Sequence, residues 1–187
     1  YTYTPTTKDL DNAFTAWLDD KIFICVEEVD MRNRMKFVNA LKPLVSNERI
    51  SVEAKGVDQR MIDNKANWLF CTNHKDGVIK SVNDRRYAIF YTAQQEASDL
   101  TRDGMDGQYF PQLWDWLKHG GGFAIVGHYL QNYKIPDDIN PATKATRAPI
   151  TSSTQEAIEL TRGPISQVIL EAVDNEVEGF RGGWISS

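Results

Sequence analysis

The sequence predicts an α/β fold with a mostly parallel sheet. Three observations predict it. Two continuous apolar runs of strand length occur at 22–26 (IFICV) and 67–72 (NWLFCT). Apolar residues recur at helical spacing around and after them, and Gly- or Asn-marked turns stand at the joins.

Residues 1–7 are polar and read as extended. Leu10, Phe14, Trp17 and Leu18 recur at helical spacing, which predicts a helix over 9–18 with Asp9 as its N-cap. The run 22–26 has no polar alternation and reads as a strand buried on both faces, as parallel strands are. It ends in two adjacent carboxylates, Glu27 and Glu28. Ligands of open α/β sheets sit off the carboxyl ends of the strands, so acids placed there suit a bound metal or an activated water. The same pair also suits a solvated loop, or the start of the next helix, where the dipole favours negative charge.

Met31, Met35, Val38, Leu41, Leu44 and Val45 mark an amphipathic helix that stops at Ser46-Asn47, with Pro43 kinking or tightening its last turn. The methionines read as core filler. Over 49–63 (RISVEAKGVDQRMID) two alternating segments flank the turn Lys55-Gly56-Val57-Asp58, a hairpin signal in which glycine supplies positive φ. The second apolar run, 67–72, is closed by Asn73 and His74. A polar loop (KDGVIKSVNDRR) then carries Arg85 and Arg86 into a third strand expected over 87–92.

From Gln94 the character changes to helix and loop. The aromatic-rich stretch 109–117 and the stretch 123–133 predict two helices separated by Gly120-Gly121-Gly122, read as a helix-to-helix turn. Residues 136–154, with three prolines and many Thr and Ser, read as an ordered loop or linker, and 154–160 and 166–177 as two further helices. The expected division is an α/β part at 1–95 and a mainly helical part at 96–187, with the Pro/Thr-rich loop at 136–154.

Composition bounds the function. The 187 residues can bury one core, or one core and a satellite. Hydrophobic residues at 41% and charged residues at 25% exclude wholesale disorder. No apolar run approaches the ~20 residues of a membrane span, and no signal-peptide pattern is present. Cys25 and Cys71 fall inside apolar runs and read as buried small hydrophobes, consistent with a reducing compartment. The net charge of −5 argues against a generally basic nucleic-acid binder but leaves room for a local basic feature. His74, His119 and His128 lack metal-ligand spacing. The chain opens YTYTPTT without methionine and stops at GGWISS, so we read it as a segment of a longer protein.

Four features now stand in order: a strand ending Glu27-Glu28, a hairpin tipped by Lys55-Gly56, a strand ending Thr72-Asn73, and the pair Arg85-Arg86. This ordered set resembles the superfamily 3 helicases, the AAA+-like hexameric motors of viruses and phages. It is most similar to the helicase part of phage and plasmid primase-helicases. The motifs cover about 10–95, and the stretch 109–150 resembles the helical segment that follows in those proteins.

The resemblance implies a P-loop AAA+-like core and an ATP-dependent DNA helicase of a phage or prophage replication protein. ATP and Mg²⁺ would be its cofactors and single-stranded DNA its partner. The protein would be a homo-oligomeric, hexameric ring in the cytoplasm of a bacterial host. Glu27 would hold Mg²⁺ directly or through water, and Glu28 would polarise the attacking water, because charge neutralisation and proton acceptance are separate tasks in phosphoryl transfer. Asn73 matches the sensor that orients the water at the tip of the neighbouring strand, where an amide donates and accepts without a charge penalty.

Arg85 and Arg86 stand at the position of the arginine finger, a group suited to planar oxygen clusters. One of them would reach the neighbouring subunit's γ-phosphate; the other could pair with Asp84 or lie on the surface. Lys55 would contact DNA phosphate, with Arg60 and Lys65 as supports. A ring of such tips gathers like charges in one channel, which offsets the acidic whole.

The sequence departs from the family at the front. No G-x-x-x-x-G-K-[ST] loop occurs in it. That loop is expected ahead of the strand ending Glu27-Glu28, hence before Tyr1, so this segment alone is expected not to turn over ATP. A non-catalytic DNA-binding or assembly module that keeps the fold is the alternative. A regulatory AAA+-like ATPase is disfavoured by the basic hairpin tip between the two strand motifs.

Overall fold

The computed structural model describes residues 1–11, 14–31, 35–140 and 147–162, together with 169, 172, 173, 175, 177, 180, 181, 184 and 185. The chain divides into two units, Tyr1–Ile89 with Ile150–Ser187, and Phe90–Pro149.

The first unit is built on a three-stranded parallel sheet in the order β1 (Thr2–Tyr3), β2 (Phe23–Val26), β5 (Asn67–Phe70). β2 and β5 pair in register from Phe23 opposite Asn67 to Val26 opposite Phe70. Between them run α2 (Met35–Ser46) and an antiparallel hairpin of β3 (Arg49–Ala54) and β4 (Val57–Asp63). The core joins Leu18, Ile24, Val26, Val29, Met31, Val38, Leu41, Ile50 and Val52. One sheet face thus packs on α2 and on the inward face of β3. An aromatic chain runs along the same core, from Tyr3 through Trp17, Trp68 and Phe70 to Tyr87, with ring centroids 5.2–6.2 Å apart.

Several expectations are corrected. The helix expected over 9–18 is a short α1 (Thr7–Asp11) and a separate 3₁₀ turn at Ala16–Leu18. Its cap is Thr6 rather than Asp9. The Thr6 hydroxyl accepts the Asp9 N–H at 3.3 Å, while the Asp9 carboxylate accepts the Thr6 N–H at 2.8 Å. That reciprocal pair is a capping box. The Thr6 hydroxyl, which donates to the Asp9 carboxylate at 2.7 Å, and then the Thr6 N–H hold the Asp9 carboxyl below its usual range.

β2 is buried on one face only. Ile24 is 0% exposed, but Phe23 and Leu69, neighbours on the opposite face, are 40% and 47% exposed. An unbroken apolar run carries no alternation from which the open face could be told. For the same reason the cysteines are misread. Cys25 is half-buried and Cys71 exposed, both as free thiols. Burial, reinforced by the hydrogen-bonded Cys71 thiol and the Glu27 carboxylate, pushes the Cys25 thiol up.

The third strand expected over 87–92 does not form. Its carbonyls are taken elsewhere: Lys80 Nζ donates to Tyr87 O at 2.7 Å, and the Thr151 hydroxyl donates to Ile89 O. The Tyr87 ring packs edge-on against Phe70 instead of extending the sheet.

The second unit contains α3 (Ala97–Arg102), α4 (Tyr109–Lys118) and α5 (Gly122–Asn132). The glycine triplet is a helix-to-helix turn, as its spacing predicts. Gly121 takes φ 78°, and a Cβ on Gly122 would lie 2.8 Å from the Leu117 Cα and from the Trp116 ring. Beyond this unit lie α6 (Thr154–Leu160) and a two-strand ladder of β6 (Phe180–Arg181) and β7 (Trp184–Ile185). The helix expected over 166–177 falls largely outside the described residues. Among the described residues no helix is long and apolar enough to cross a membrane.

Candidate functional site at the carboxyl edge of the sheet

Parallel pairing of β2 and β5 puts their carboxyl ends at the same edge of the sheet. Glu27 and Glu28 leave from one strand, and Asn73, three residues past Phe70, leaves from the other. All three are exposed.

The ladder is irregular at the carboxylates. Cys71 donates its N–H to Val26 O at 2.9 Å, which continues the regular pairing. A regular parallel ladder would then return the Glu28 N–H to Cys71 O. The Val29 N–H makes that bond instead, at 2.8 Å. One extra residue is therefore accommodated at Glu27-Glu28, and Glu28 absorbs it at φ 54°. Left-handed backbone at a non-glycine residue costs on the order of 1–3 kcal/mol and persists only where the surroundings impose it. Here the surroundings are the buried flanks Val26 and Val29. The bulge turns successive carboxylates out of the sheet at the strand end, a device that re-aims side chains.

The Asn73 loop is held as tightly. The His74 N–H donates to Thr72 Oγ1 at 3.1 Å, and the Gly77 N–H to His74 O at 2.9 Å. Gly77 O in turn accepts the Met31 N–H at 2.8 Å, which ties this loop to the chain leaving Glu28. Sequence reasoning passed over Gly77. The Asp-Gly dipeptide marks a turn, but the need for glycine comes from the proximity of Thr72 across the loop.

The two arginines are distinguished by their surroundings. Arg86 is engaged within the unit: its N–H donates to Asp84 Oδ1 at 2.7 Å, Nη1 to Asp84 Oδ2 at 3.2 Å, and Nε to Ser46 Oγ at 3.2 Å. Arg85 is exposed and makes no hydrogen bond or ion pair with another described residue.

Tyr87, next in the chain, is 6% exposed, and its hydroxyl has no hydrogen-bond partner among the described residues. Burial first, and then the Asp84 carboxylate, pushes the phenol up to about 12, with Arg86 opposing. The folded-state value lies above the unfolded value of 10.0. The associated stability is therefore complete below pH 10 and is lost as pH rises towards 12. That interval corresponds to roughly 3 kcal/mol. Tyr87→Phe is expected to abolish this alkaline loss and to leave neutral-pH stability equal or higher by up to about 1 kcal/mol. Urea midpoints at pH 7 and pH 11 check it; an alkaline loss as large as in the wild type would refute it.

The hairpin is docked by Thr15, whose hydroxyl donates to Ser51 O at 3.3 Å and accepts the Glu53 N–H at 3.2 Å. Ala54 pairs with Val57, so the tip is Lys55-Gly56, with Gly56 at φ 76°. Lys55 is exposed. The supporting cations do not gather round it. Arg60 forms an ion pair with Asp19, and Lys65 lies past the far end of β4. Lys65 lines an open groove of about 380 Å³ with Lys21, Arg49 and Asp63, next to the amino end of β2.

Glu27 and Glu28 suit a hard cation as oxygen donors. Among the described residues no group of three or more His, Cys, Asp or Glu side chains converges. A divalent ion there would need further oxygens from a nucleotide or water.

Comparison with known proteins bears on the fold. The chain is similar to the DNA primase-polymerase of Nitratiruptor phage NrS-1, at 22% identity over 178 residues that cover 94% of this chain and 23% of that protein. An apo structure of the NrS-1 C-terminal region (305–718) aligns at 20% identity with a TM-score of 0.57, covering 95% of this chain and 39% of that one. The A form of the same region aligns at 20% identity with a TM-score of 0.55, covering 95% and 38%. The chain thus spans about a quarter of the curated relative and about two fifths of the solved region. Residues 1–86 match a family of unknown function (DUF5906). The chain has an α/β fold with a small parallel sheet, and it shares that fold with the NrS-1 C-terminal region.

Proposed function

We propose that this chain is part of an ATP-dependent DNA helicase motor of the superfamily 3, AAA+-like type, within a phage DNA-replication protein. The observation that carries the reading is the in-register parallel pairing of β2 and β5, which sets Glu27, Glu28 and Asn73 at one sheet edge. Similarity to a phage primase-polymerase supports the replication setting.

In this reading Glu27, with Asn73 nearby, faces Mg-ATP, and Glu28 accepts the proton of the attacking water. Mg²⁺, when bound, supplies charge neutralisation on the phosphates. Arg85, unlike the engaged Arg86, is the cation available to a nucleotide held by the next subunit of a homo-oligomeric ring. A phosphate-cradling loop has to come from outside residues 1–187. Lys55 contacts the DNA backbone; Arg60 and Lys65 contribute less, since Arg60 is paired and Lys65 is remote from the tip.

Lys55→Ala in the full-length protein tests the DNA half. Each tip presents one ammonium to phosphate, and such an interaction carries no base information. The substitution is expected to weaken single-strand binding equally across sequences and to reduce the salt slope by about 1 for each ammonium removed from the DNA path. DNA-free ATP hydrolysis is expected to persist. An unchanged slope with full unwinding would remove the hairpin from that path.

A further inference from the structure

The loop between β5 and Tyr87 holds a lysine to which the helicase reading gives no task. Lys80 is 6% exposed, and lysine is almost never fully buried unless its ammonium is paired or hydrogen-bonded. Here Nζ donates to Tyr87 O at 2.7 Å and to Asp84 O at 3.2 Å. Its own backbone is anchored to α6: the Thr161 hydroxyl donates to Lys80 O at 2.8 Å and accepts the Lys80 N–H at 3.4 Å.

The ammonium therefore closes an arch from Lys80 to Tyr87, and the arch is pinned again from within. The Asp84 N–H bonds Ser81 O at 3.0 Å, and the Asp84 carboxylate holds Arg86, which reaches Ser46 at the end of α2. Tyr87 is buried against Phe70. The long cation left pointing outward from this pinned arch is Arg85.

We propose that Lys80 is a positioning residue: its buried ammonium fixes the Asp84–Tyr87 turn and thereby presents Arg85, preorganised, to a phosphate group on a neighbouring copy. The proposal rests on the helicase reading for the identity of that phosphate, but not for the arch itself. Charge-assisted bonds to two carbonyls hold the backbone on either side of Arg85. The guanidinium then searches only its own side-chain torsions, which lowers the ordering cost of engagement. A displacement of about 1 Å at such a group can cost on the order of 10²-fold in rate.

Lys80→Met keeps the apolar stem and removes the donors. In the full-length protein we expect backbone hydrogen exchange over 81–87 to accelerate at least about tenfold, with β2 and β5 unchanged. We expect the turnover number to fall on the order of 10²-fold with the KM for ATP unchanged. Subunit mixing separates positioning from general damage. Lys80→Met mixed with Glu28→Gln regains hydrolysis, because the second variant supplies intact Arg85 to the first variant's sites. Lys80→Met mixed with Arg85→Ala stays inactive. Unchanged exchange over 81–87 overturns the clamp, whatever the activity of the protein. Accelerated exchange with Arg85→Ala at wild-type turnover overturns the helicase reading of Arg85 instead. Should Lys80→Met fail to fold, Lys80→Gln, which keeps a polar end but loses the charge and some of the reach to the Asp84 and Tyr87 carbonyls, carries the same exchange expectation and the same refutation.

Discussion

Glu28→Gln in the full-length protein is expected to lower Mg-ATP turnover by roughly 10²–10⁴-fold, the range for loss of a general base. Nucleotide binding is expected to stay within a few-fold of wild type. The amide keeps the size of the carboxylate and can occupy the same φ of 54°. The bulge between Val26 and Val29 should therefore survive, and only proton acceptance is lost. On the role proposed for Glu27, Glu27→Gln removes a cation ligand and is expected to weaken Mg-ATP binding itself. Residues 1–187 alone should bind Mg-ATP weakly and show no turnover. Single-turnover hydrolysis and nucleotide titration read both quantities. Wild-type turnover by Glu28→Gln would reject the general-base assignment. A full-length wild type that binds DNA through Lys55 yet hydrolyses nothing would instead favour the non-catalytic module.

Gly77→Ala is expected to destabilise the first unit by about 1–3 kcal/mol, as overpacking of a closed site does. A Cβ there would lie 2.3 Å from Thr72 Oγ1, 3.1 Å from Thr72 Cβ and 3.0 Å from His74 O. Rotating the hydroxyl away does not relieve the clash with backbone, and it forfeits the bond from His74 N–H. Because Gly77 O also holds Met31 N–H, the strain reaches the chain leaving Glu28 as well as Asn73. A lower urea midpoint at unchanged m, with faster exchange over 72–77, is the expected signature. A wild-type midpoint would show that the loop relaxes freely.

Much of the scaffold was legible. The two apolar runs, the hairpin with glycine at its tip, the stop of α2 after Ser46 and the helix turn at the glycine triplet follow from local periodicity and turn chemistry. The T-x-x-D pattern of Thr6 and Asp9 was also present, and it would have corrected the helix start. Other features leave no local mark. The stretch 87–92 has strand composition but forms no strand, and Lys80 and Thr151 occupy carbonyls within it.

The sequence by itself determined which chemistry the chain can present: paired acids after a strand, an amide after its neighbour, a lysine at a hairpin tip and two adjacent arginines. These depend on residue type and on spacing along the chain. Tertiary structure alone decided how that chemistry is aimed. It inserted one residue into the ladder at Glu27-Glu28, left the Phe23 and Leu69 face open, engaged Arg86 with Asp84 and Ser46, and left Arg85 outward over a buried Lys80. Most of those outcomes turn on which partner takes a given carbonyl, carboxylate or apolar face, and several of these partners, Ser46 for Arg86 and Cys71 O for Val29 among them, lie tens of residues away on another element. Buried polar groups must find such partners, and the choice among them is made only when the chain closes on itself.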